Sequence, residues 1–319
     1  MTLNEVKKDP LLIAGEGKLA YSVSVCLLLA GYPVTLCTEN KNEAVENINM
    51  HFADLSVKGL QPVNRPLLEI TNVLDSRLPY RLVIVVTEED LLKKRALIQG
   101  LERRLPLSSV IAVNSESIPI SVLQEGCKCP DRIMGMNWSE PAHTTYFLEI
   151  ISNRKTQRKW VDDVYREAKT CWNKDPYIVS GDLGIRAKMM AAMTREALYL
   201  VENGFASMED IDRAGRNDPG YYLPFAGNFR YIDLMGGAFG FSRVMKALNP
   251  ELSKAREIPD FFADLIQQGA QSMDNNKGIY EYKPGEAEKW QEAFRKYSYE
   301  IQEIIQKYPF NYQRRHAAE

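Results

Sequence analysis

The chain has 319 residues, 45% of them hydrophobic and 26% charged, a balance that suits a folded protein long enough for two domains and argues against a single small module. Forty basic against 42 acidic residues leave a net charge of -2, which offers no broad basic field to a phosphate backbone and so argues against a nucleic-acid partner. The five cysteines are odd in number and suit reduced thiols; Cys127-x-Cys129 has no second pair at zinc-ligand spacing, so no metal site is expected. The first ten residues, MTLNEVKKDP, do not match the charged and apolar regions of a signal peptide, and a cytoplasmic protein is expected.

In chain order, Pro10 to Gly15 is a short apolar run ending in glycine, and Leu19 to Ala30 is a helix-length segment that stops at Gly31. The run PVTLC at 33–37 then reads as a second buried strand, which completes a βαβ unit. The most apolar stretch, Val23 to Leu36, is interrupted by Ser24, Gly31, Tyr32 and Pro33 and is shorter than a membrane span, so no membrane partner is expected. Asn42 to Gly59 is amphipathic enough for a helix, with His51 on what reads as a surface-type face. Two β-branched runs, RLVIVV at 81–86 and SVIAVN at 109–114, flank a charged helical stretch from Glu88 to Arg104. Strands alternating with helices at this spacing predict a mostly parallel sheet covered on both faces. RIMGMNW and TYFLEIIS read as two further strands, and from about Gly181 the chain turns helical. Met189, Met190, Met193, Ala197, Leu198 and Val201 share one helical face; Trp290, Phe294, Tyr297, Ile301, Ile304 and Tyr308 form a second stripe, and both read as core. The expected organisation is an α/β domain over residues 1–178 followed by an all-α domain over 179–319.

The turn Gly15-Glu16-Gly17-Lys18-Leu19-Ala20 fits G-x-G-x-x-G/A between a strand and a helix, where its chemistry makes sense. The first glycine permits a tight turn and the second lets the backbone approach a pyrophosphate. Ala20 allows close packing, and the free N–H groups of the helix start face the phosphates. A dinucleotide is therefore expected. In an NAD site an acid near the end of the second strand binds the ribose hydroxyls. Here Thr38 holds that place and Glu39 lies one residue beyond; an acid at Glu39 would repel a 2′-phosphate, so NAD is favoured over NADP although Lys41 pulls weakly the other way.

The order of segments now resembles the 3-hydroxyacyl-CoA dehydrogenase family over nearly the whole chain. The stretches that carry the resemblance are GEGKLA, VIVVTEEDLLKK, AVNSESIPI, RIMGMNWSEPAHTTYFLEII, REALYLVENGFASMEDIDRA, PFAGNFRYIDLMGG and NNKGIYEY. The resemblance implies a Rossmann domain, a helical second domain that helps form a homodimer, an active site between the two, and NAD-dependent oxidation of a 3-hydroxy group on a small-molecule substrate, an acyl-CoA or a related hydroxy acid. It also implies that Glu89, Lys94 and Asn114 lie along the nicotinamide side of the cleft.

The family's polar site is matched unevenly. Its H-F-x-N-P motif reads Asn137-Trp138-Ser139-Glu140-Pro141, so Asn137 stands for the histidine base and Glu140 for an asparagine. Twelve residues after Asn137 comes Glu149, which matches the glutamate that orients the histidine. The N-T-S-S turn reads Asn114-Ser115-Glu116-Ser117, with Glu116 where a substrate-binding serine would lie, and the asparagine that opens the helical domain falls near Ala187. An asparagine cannot serve as a base near neutral pH. If the resemblance holds, Glu116, Glu140 and Glu149 converge near one site, where mutual repulsion would tune one of them as a base or the group would bind a cation; the other reading turns two of them to solvent. His143, six residues after Asn137, is a candidate relocated base or a residue of an exposed loop, while His316 lies in the tail. The segment from Glu39 to Arg81 is shorter than the family's CoA-contacting hairpin and leaves Lys58 as a basic residue for a phosphate. Loss of most polar site residues also leaves open a catalytically silent dinucleotide-binding protein.

Overall fold

The strongest apolar runs of the N-terminal half, LLIAG, LVIVV and VIAV, are buried along almost their whole length, which requires cover on both faces of the sheet they form. In the computed structural model, which describes residues 8–60, 65–74 and 79–308, these runs are the centre of an eight-stranded sheet. In chain order the elements are β1 (Leu11–Gly15), α1 (Gly17–Leu29), β2 (Val34–Cys37), α2 (Lys41–Val57), β3 (Leu68–Thr71), β4 (Leu82–Val86), α3 (Leu91–Glu102) and β5 (Val110–Val113). There follow α4 (Ile120–Leu123), β6 (Ile133–Asn137), β7 (Glu149–Ser152), α5 (Arg158–Cys171) and β8 (Tyr177–Ser180). The strand order is β3-β2-β1-β4-β5-β6-β7-β8, and the chain reverses its direction of travel across the sheet between β1 and β4. In doubly wound sheets that switch point, at the carboxyl ends of the strands, is where ligands bind.

The sheet is parallel except between β6 and β7, which run antiparallel with Asn137 directly opposite Glu149. This register brings together two residues twelve apart in sequence. The expected strand over TYFLEIIS is shorter than its apolar run, since Ala142–Thr144 forms a short 3-10 turn and pairing begins only at Glu149. β3, β8 and α5 lie outside the runs predicted from sequence. In α5 only Val161, Val164 and Ala168 are buried, a narrow stripe in an otherwise charged helix. The core packs Leu12, Val83, Val85, Ile111 and Val113 of the strands against Ile98 and Leu101 of α3.

The chain divides into two compact units, Met1–Lys188 and Met189–Glu319. The helices from this point are α6 (Ile185–Glu202), α7 (Met208–Asn217), α8 (Pro219–Leu234), α9 (Gly237–Leu248), α10 (Asp260–Gln267) and α11 (Glu286–Lys307). An α/β domain with a mostly parallel sheet, followed by an all-helical region, is thus the architecture. Within the second unit, Phe225 of α8 packs edge-on against Tyr308 at 5.7 Å, and Pro224 and Gly227 (φ 62°) kink α8.

Both apolar stripes expected as core are corrected here. Met193 is 64% exposed, Trp290 60% and Phe294 51%, with Met189, Met190, Tyr297 and Tyr308 similarly open. Periodicity reports that a face is apolar; it does not report whether the same chain supplies the cover. Among the described residues, no helix is long and apolar enough to cross a membrane.

Candidate active site

β1 delivers the chain into the glycine turn, and the glycines are there for two different reasons. A Cβ on Gly15 would stand 1.8 Å from the carbonyl oxygen of Val86, so the close pairing of β1 with β4 requires glycine. At Gly17 (φ 85°) nothing lies within 4 Å of that position, so the turn is open on this side. Glu16 at the N-cap of α1 makes no side-chain bond to the helix start, and no acidic residue occupies the first turn. The leading N–H groups of α1 are thus left uncapped by side chains, as an anion site needs. Ala20 is fully buried where the helix meets the sheet, Leu19 is half-buried, and Lys18 stands exposed beside the turn. The turn and its helix fit a dinucleotide.

At the end of β2, Thr38 is buried and its hydroxyl accepts from the Asn40 N–H at 3.3 Å, while Glu39 is exposed. The exposed carboxylate is therefore the group at this strand end with freedom to meet a ribose. Lys58 lies at the C-terminal end of α2, and 61–64 and 75–78 of the segment that follows are outside the described residues, as is His316.

Glu89, Lys94 and Asn114 form a single network across the ends of β4, β5 and β6. The Lys94 ammonium is wholly buried and donates to the carbonyls of Thr87 (3.0 Å) and Asn114 (2.8 Å), with Glu89 at 3.5 Å. Burial pulls its pKa below the usual lysine value against the pull of Glu89. Glu89 Oε1 accepts from the Ser115 hydroxyl and from the N–H groups of Ser117 and Ile118 at 2.8–3.0 Å. Burial alone would raise that carboxyl, yet these donors and Lys94 hold it below the ordinary glutamate value. Asn114 Oδ1 accepts from the Trp138 N–H at 3.0 Å. Lys94 and Asn114 therefore brace the loops from beneath, and Glu89 clasps the turn that carries Glu116.

Asn137 is fully buried and both ends of its amide are committed. Oδ1 accepts from the Ser115 N–H at 2.9 Å, and Nδ2 donates to Glu149 Oε2 at 3.2 Å. Glu149 is equally buried; its Oε1 accepts from the Tyr177 hydroxyl (3.1 Å) and from the N–H groups of Ile185 (2.6 Å) and Arg186 (3.3 Å). Burial and this carboxylate push the Tyr177 hydroxyl well above its ordinary pKa. A Cβ on Gly184 would stand 1.9 Å from Glu149 Oε2, so the backbone closes over the carboxylate only because glycine is there. Glu149 keeps its bond to residue 137, but its other oxygen now secures the first residues of α6.

The three carboxylates resolve into separately partnered groups. Glu116, with a side chain 32% exposed, pairs with Arg186 at 2.5 Å. The same guanidinium donates to the Ser139 hydroxyl at 3.2 Å and lies 5.5 Å from the centre of the Phe147 ring. Glu140 instead accepts from Ser22 of α1 at 2.5 Å, and Ser22 in turn accepts from the Ala142 N–H. Arg186, Ser139 and Tyr177 are the members of this site that sequence reasoning missed. Arg186 precedes Ala187, the position already singled out, and that adjacency was the available signal.

The histidines need a correction. His51 is 1% exposed, part of a buried stripe with Ala44, Ile48, Phe52 and Leu55, so its helix face is core. The three-residue spacing from Ile48 carried that information. His143 packs edge-on against His51 at 4.7 Å, and burial, with lesser effects of His51 and Lys174, drives its pKa well below the ordinary histidine value. The exposed-loop reading fails for it, since its ring packs on His51 of α2. Among the described residues no group of His, Cys, Asp and Glu side chains has the arrangement to hold a metal ion.

Residues 11–183 match the family model for the 3-hydroxyacyl-CoA dehydrogenase NAD-binding domain, and residues 185–282 match the model for the C-terminal domain of the same family. The chain is 26% identical over 205 residues to the 5-formyl-3-hydroxy-2-methylpyridine 4-carboxylate 5-dehydrogenase of Mesorhizobium japonicum, covering 64% of this chain and 66% of that protein. It is 27% identical over 280 residues to the peroxisomal fatty acid beta-oxidation multifunctional protein MFP2 of Arabidopsis thaliana, covering 85% of this chain and 38% of that one. The chain thus spans less than two thirds of the length of these curated relatives. Among solved structures, a 5-formyl-3-hydroxy-2-methylpyridine 4-carboxylic acid 5-dehydrogenase shares the fold with a TM-score of 0.86 at 21% identity, over 94% of this chain and 99% of that one. The (S)-3-hydroxybutyryl-CoA dehydrogenase of Ralstonia eutropha does so with a TM-score of 0.69 at 18% identity, over 86% and 99%. The chain belongs to the 3-hydroxyacyl-CoA dehydrogenase family, and its first unit carries that family's NAD-binding domain.

Proposed function

From that membership we propose that the protein is an NAD-dependent oxidoreductase that interconverts a 3-hydroxy and a 3-oxo group on an acyl-CoA or a related small hydroxy acid. The observation that carries this reading is the preserved cofactor half: an open glycine turn at Gly17 and an uncapped α1, within a chain matched by both domains of the family. The glycine turn and the start of α1 would hold NAD, which when bound would supply the hydride acceptor for oxidation of the carbinol carbon.

The proton needs a different acceptor from the family's histidine. Asn137 cannot take it, and Glu149 is closed off by Gly184 and has its oxygens engaged by four donors. His143 is packed on His51. Glu116 remains: it is partly open, it stands where the family has a substrate-binding serine, and one of its oxygens is engaged by Arg186. In this proposal Glu116 receives the hydroxyl proton and passes it to solvent, while Ser139 donates to the substrate oxygen. The similarity to a 5-formyl-3-hydroxy-2-methylpyridine 4-carboxylate 5-dehydrogenase supports a substrate without CoA. The exposed stripes on α6 and α11 support a homodimer through the helical unit, because apolar faces of that length are normally covered. A cytoplasmic location belongs to the same proposal and rests on composition.

A second reading, a dinucleotide-binding protein without catalysis, is favoured by one specific observation: the base position is an amide bonded at both ends inside the protein. Calorimetric titration with NADH, followed by assay of NADH consumption with acetoacetate and acetoacetyl-CoA, separates the two. Binding with turnover supports the oxidoreductase, binding without turnover supports the silent protein, and absence of binding removes both.

A further inference from the structure

Arg186 is a large cation in the first turn of α6. Its backbone N–H is held by the buried carboxylate of Glu149, which fixes where the side chain starts. Its guanidinium carries five N–H donors, and its side-chain bonds are to the Ser139 hydroxyl and to one oxygen of Glu116. Nε is buried, so a ligand arriving from solvent meets the two terminal nitrogens, each of which carries two N–H groups. The side chain is 30% exposed and that of Glu116 32%, so the ion pair is reachable from solvent and its partner can be exchanged. Phe147 beneath the guanidinium limits the directions in which it can turn. A planar cation fixed at its base, stacked on a ring and incompletely bonded is suited to grip a carboxylate with two parallel bonds.

We propose that Arg186 is the anchor for a free carboxylate on the substrate, and that Glu116 holds its place until the substrate arrives. The inference rests on the oxidoreductase reading above and narrows it: the substrate class is a small 3-hydroxy or 3-oxo carboxylic acid, and not its thioester, which has no carboxylate at that end. Exchange on Arg186 would also release Glu116 from its ion pair at the moment it is needed as a proton acceptor.

The test is calorimetric titration of acetoacetate, and of uncharged acetoacetamide as a shape control, into the full chain with and without saturating NAD, the oxidised form that cannot reduce a 3-oxo acid; NADH is titrated separately with no 3-oxo acid present. A lost bidentate charge-assisted pair corresponds to roughly 10- to 100-fold in affinity. Acetoacetate should bind the wild type and weaken by about that factor in Arg186→Met, with a smaller loss in Arg186→Lys, which keeps the charge and loses the fork. Glu116→Gln should bind acetoacetate more tightly than the wild type, since the competing carboxylate is gone, while acetoacetamide should not respond to Arg186→Met. Unchanged acetoacetate affinity in a folded Arg186→Met protein, equal affinity for acid and amide, or no binding of acid to the wild type overturns the proposal. Failure of NADH to bind is read separately and counts against the oxidoreductase reading alone.

Discussion

Replacing Asn137 by alanine removes both bonds of an amide that is fully buried between β6 and its neighbours. The Ser115 N–H then has no acceptor in a dry environment, and one oxygen of Glu149 loses a donor. An unsatisfied buried N–H costs about 1–3 kcal/mol and a lost bond to a charged group about 1.5–3, so the variant should be destabilised by roughly 3–5 kcal/mol. For a unit of this size that corresponds to a fall in melting temperature of roughly 6–20 °C. The assay is urea or thermal unfolding read on the transition of the N-terminal unit. Asn137→Asp sharpens it, because the acceptor for Ser115 is kept while a second carboxylate is set against Glu149. Two carboxylates set against each other repel while both are charged, so the penalty should be largest at neutral pH and should shrink as pH falls towards the carboxylate range. A loss below about 1 kcal/mol in Asn137→Ala, with no pH dependence in Asn137→Asp, would refute the claim that Asn137 is a structural brace.

Gly184→Ala should disturb the same network from the other side: the added methyl meets a carboxylate held by four donors, and a melting-temperature loss equivalent to about 1–3 kcal/mol is expected. Gly15→Ala collides with the backbone carbonyl of Val86 and should weaken NADH binding in a calorimetric titration, because β1 and β4 must separate at the switch point. Glu89, whose folded pKa is lowered, contributes stability that is present above the unfolded glutamate pKa and lost as pH falls through the folded value. The difference in unfolding free energy between wild type and Glu89→Gln should therefore narrow on acidification below about pH 4.5, in urea titrations at a series of pH values. Lys94→Met should be destabilising, by about 2–5 kcal/mol, since it leaves the carbonyls of Thr87 and Asn114 without their donor and removes the cation beside Glu89.

The fold was legible where burial on both faces writes an unbroken apolar run. β1, β4 and β5 are such runs, and the glycine turn declares its role because strand, turn and helix follow in order. β3 and β8 were not legible, since edge strands are only partly buried and their letters are mixed. The helical stripes at Met189 and Trp290 were read correctly as apolar and wrongly as covered, because cover is a property of whatever lies opposite. His51 shows the converse: a polar residue at a core spacing was assigned to the surface by type instead of position.

At the site, alignment with the family motif located Asn137, Glu149 and Glu116, but not what they touch. That Glu149 and Asn137 face each other follows from the antiparallel register of β6 and β7, which the twelve-residue spacing alone does not specify. That Glu116 meets a cation could not be read from the N-S-E-S turn, because the cation is Arg186, seventy residues further along the chain. Three glutamates close together in a motif comparison became three different environments once their partners were in place.

The most direct test of the central claim is NADH consumption by the purified full chain with acetoacetate, compared between wild type and Glu116→Gln across pH. The account predicts saturable turnover in the wild type and a large loss of kcat in Glu116→Gln with NADH binding retained. NADH binding without turnover on either acetoacetate or acetoacetyl-CoA would contradict it and leave a dinucleotide-binding protein whose chemistry has been closed off at Asn137.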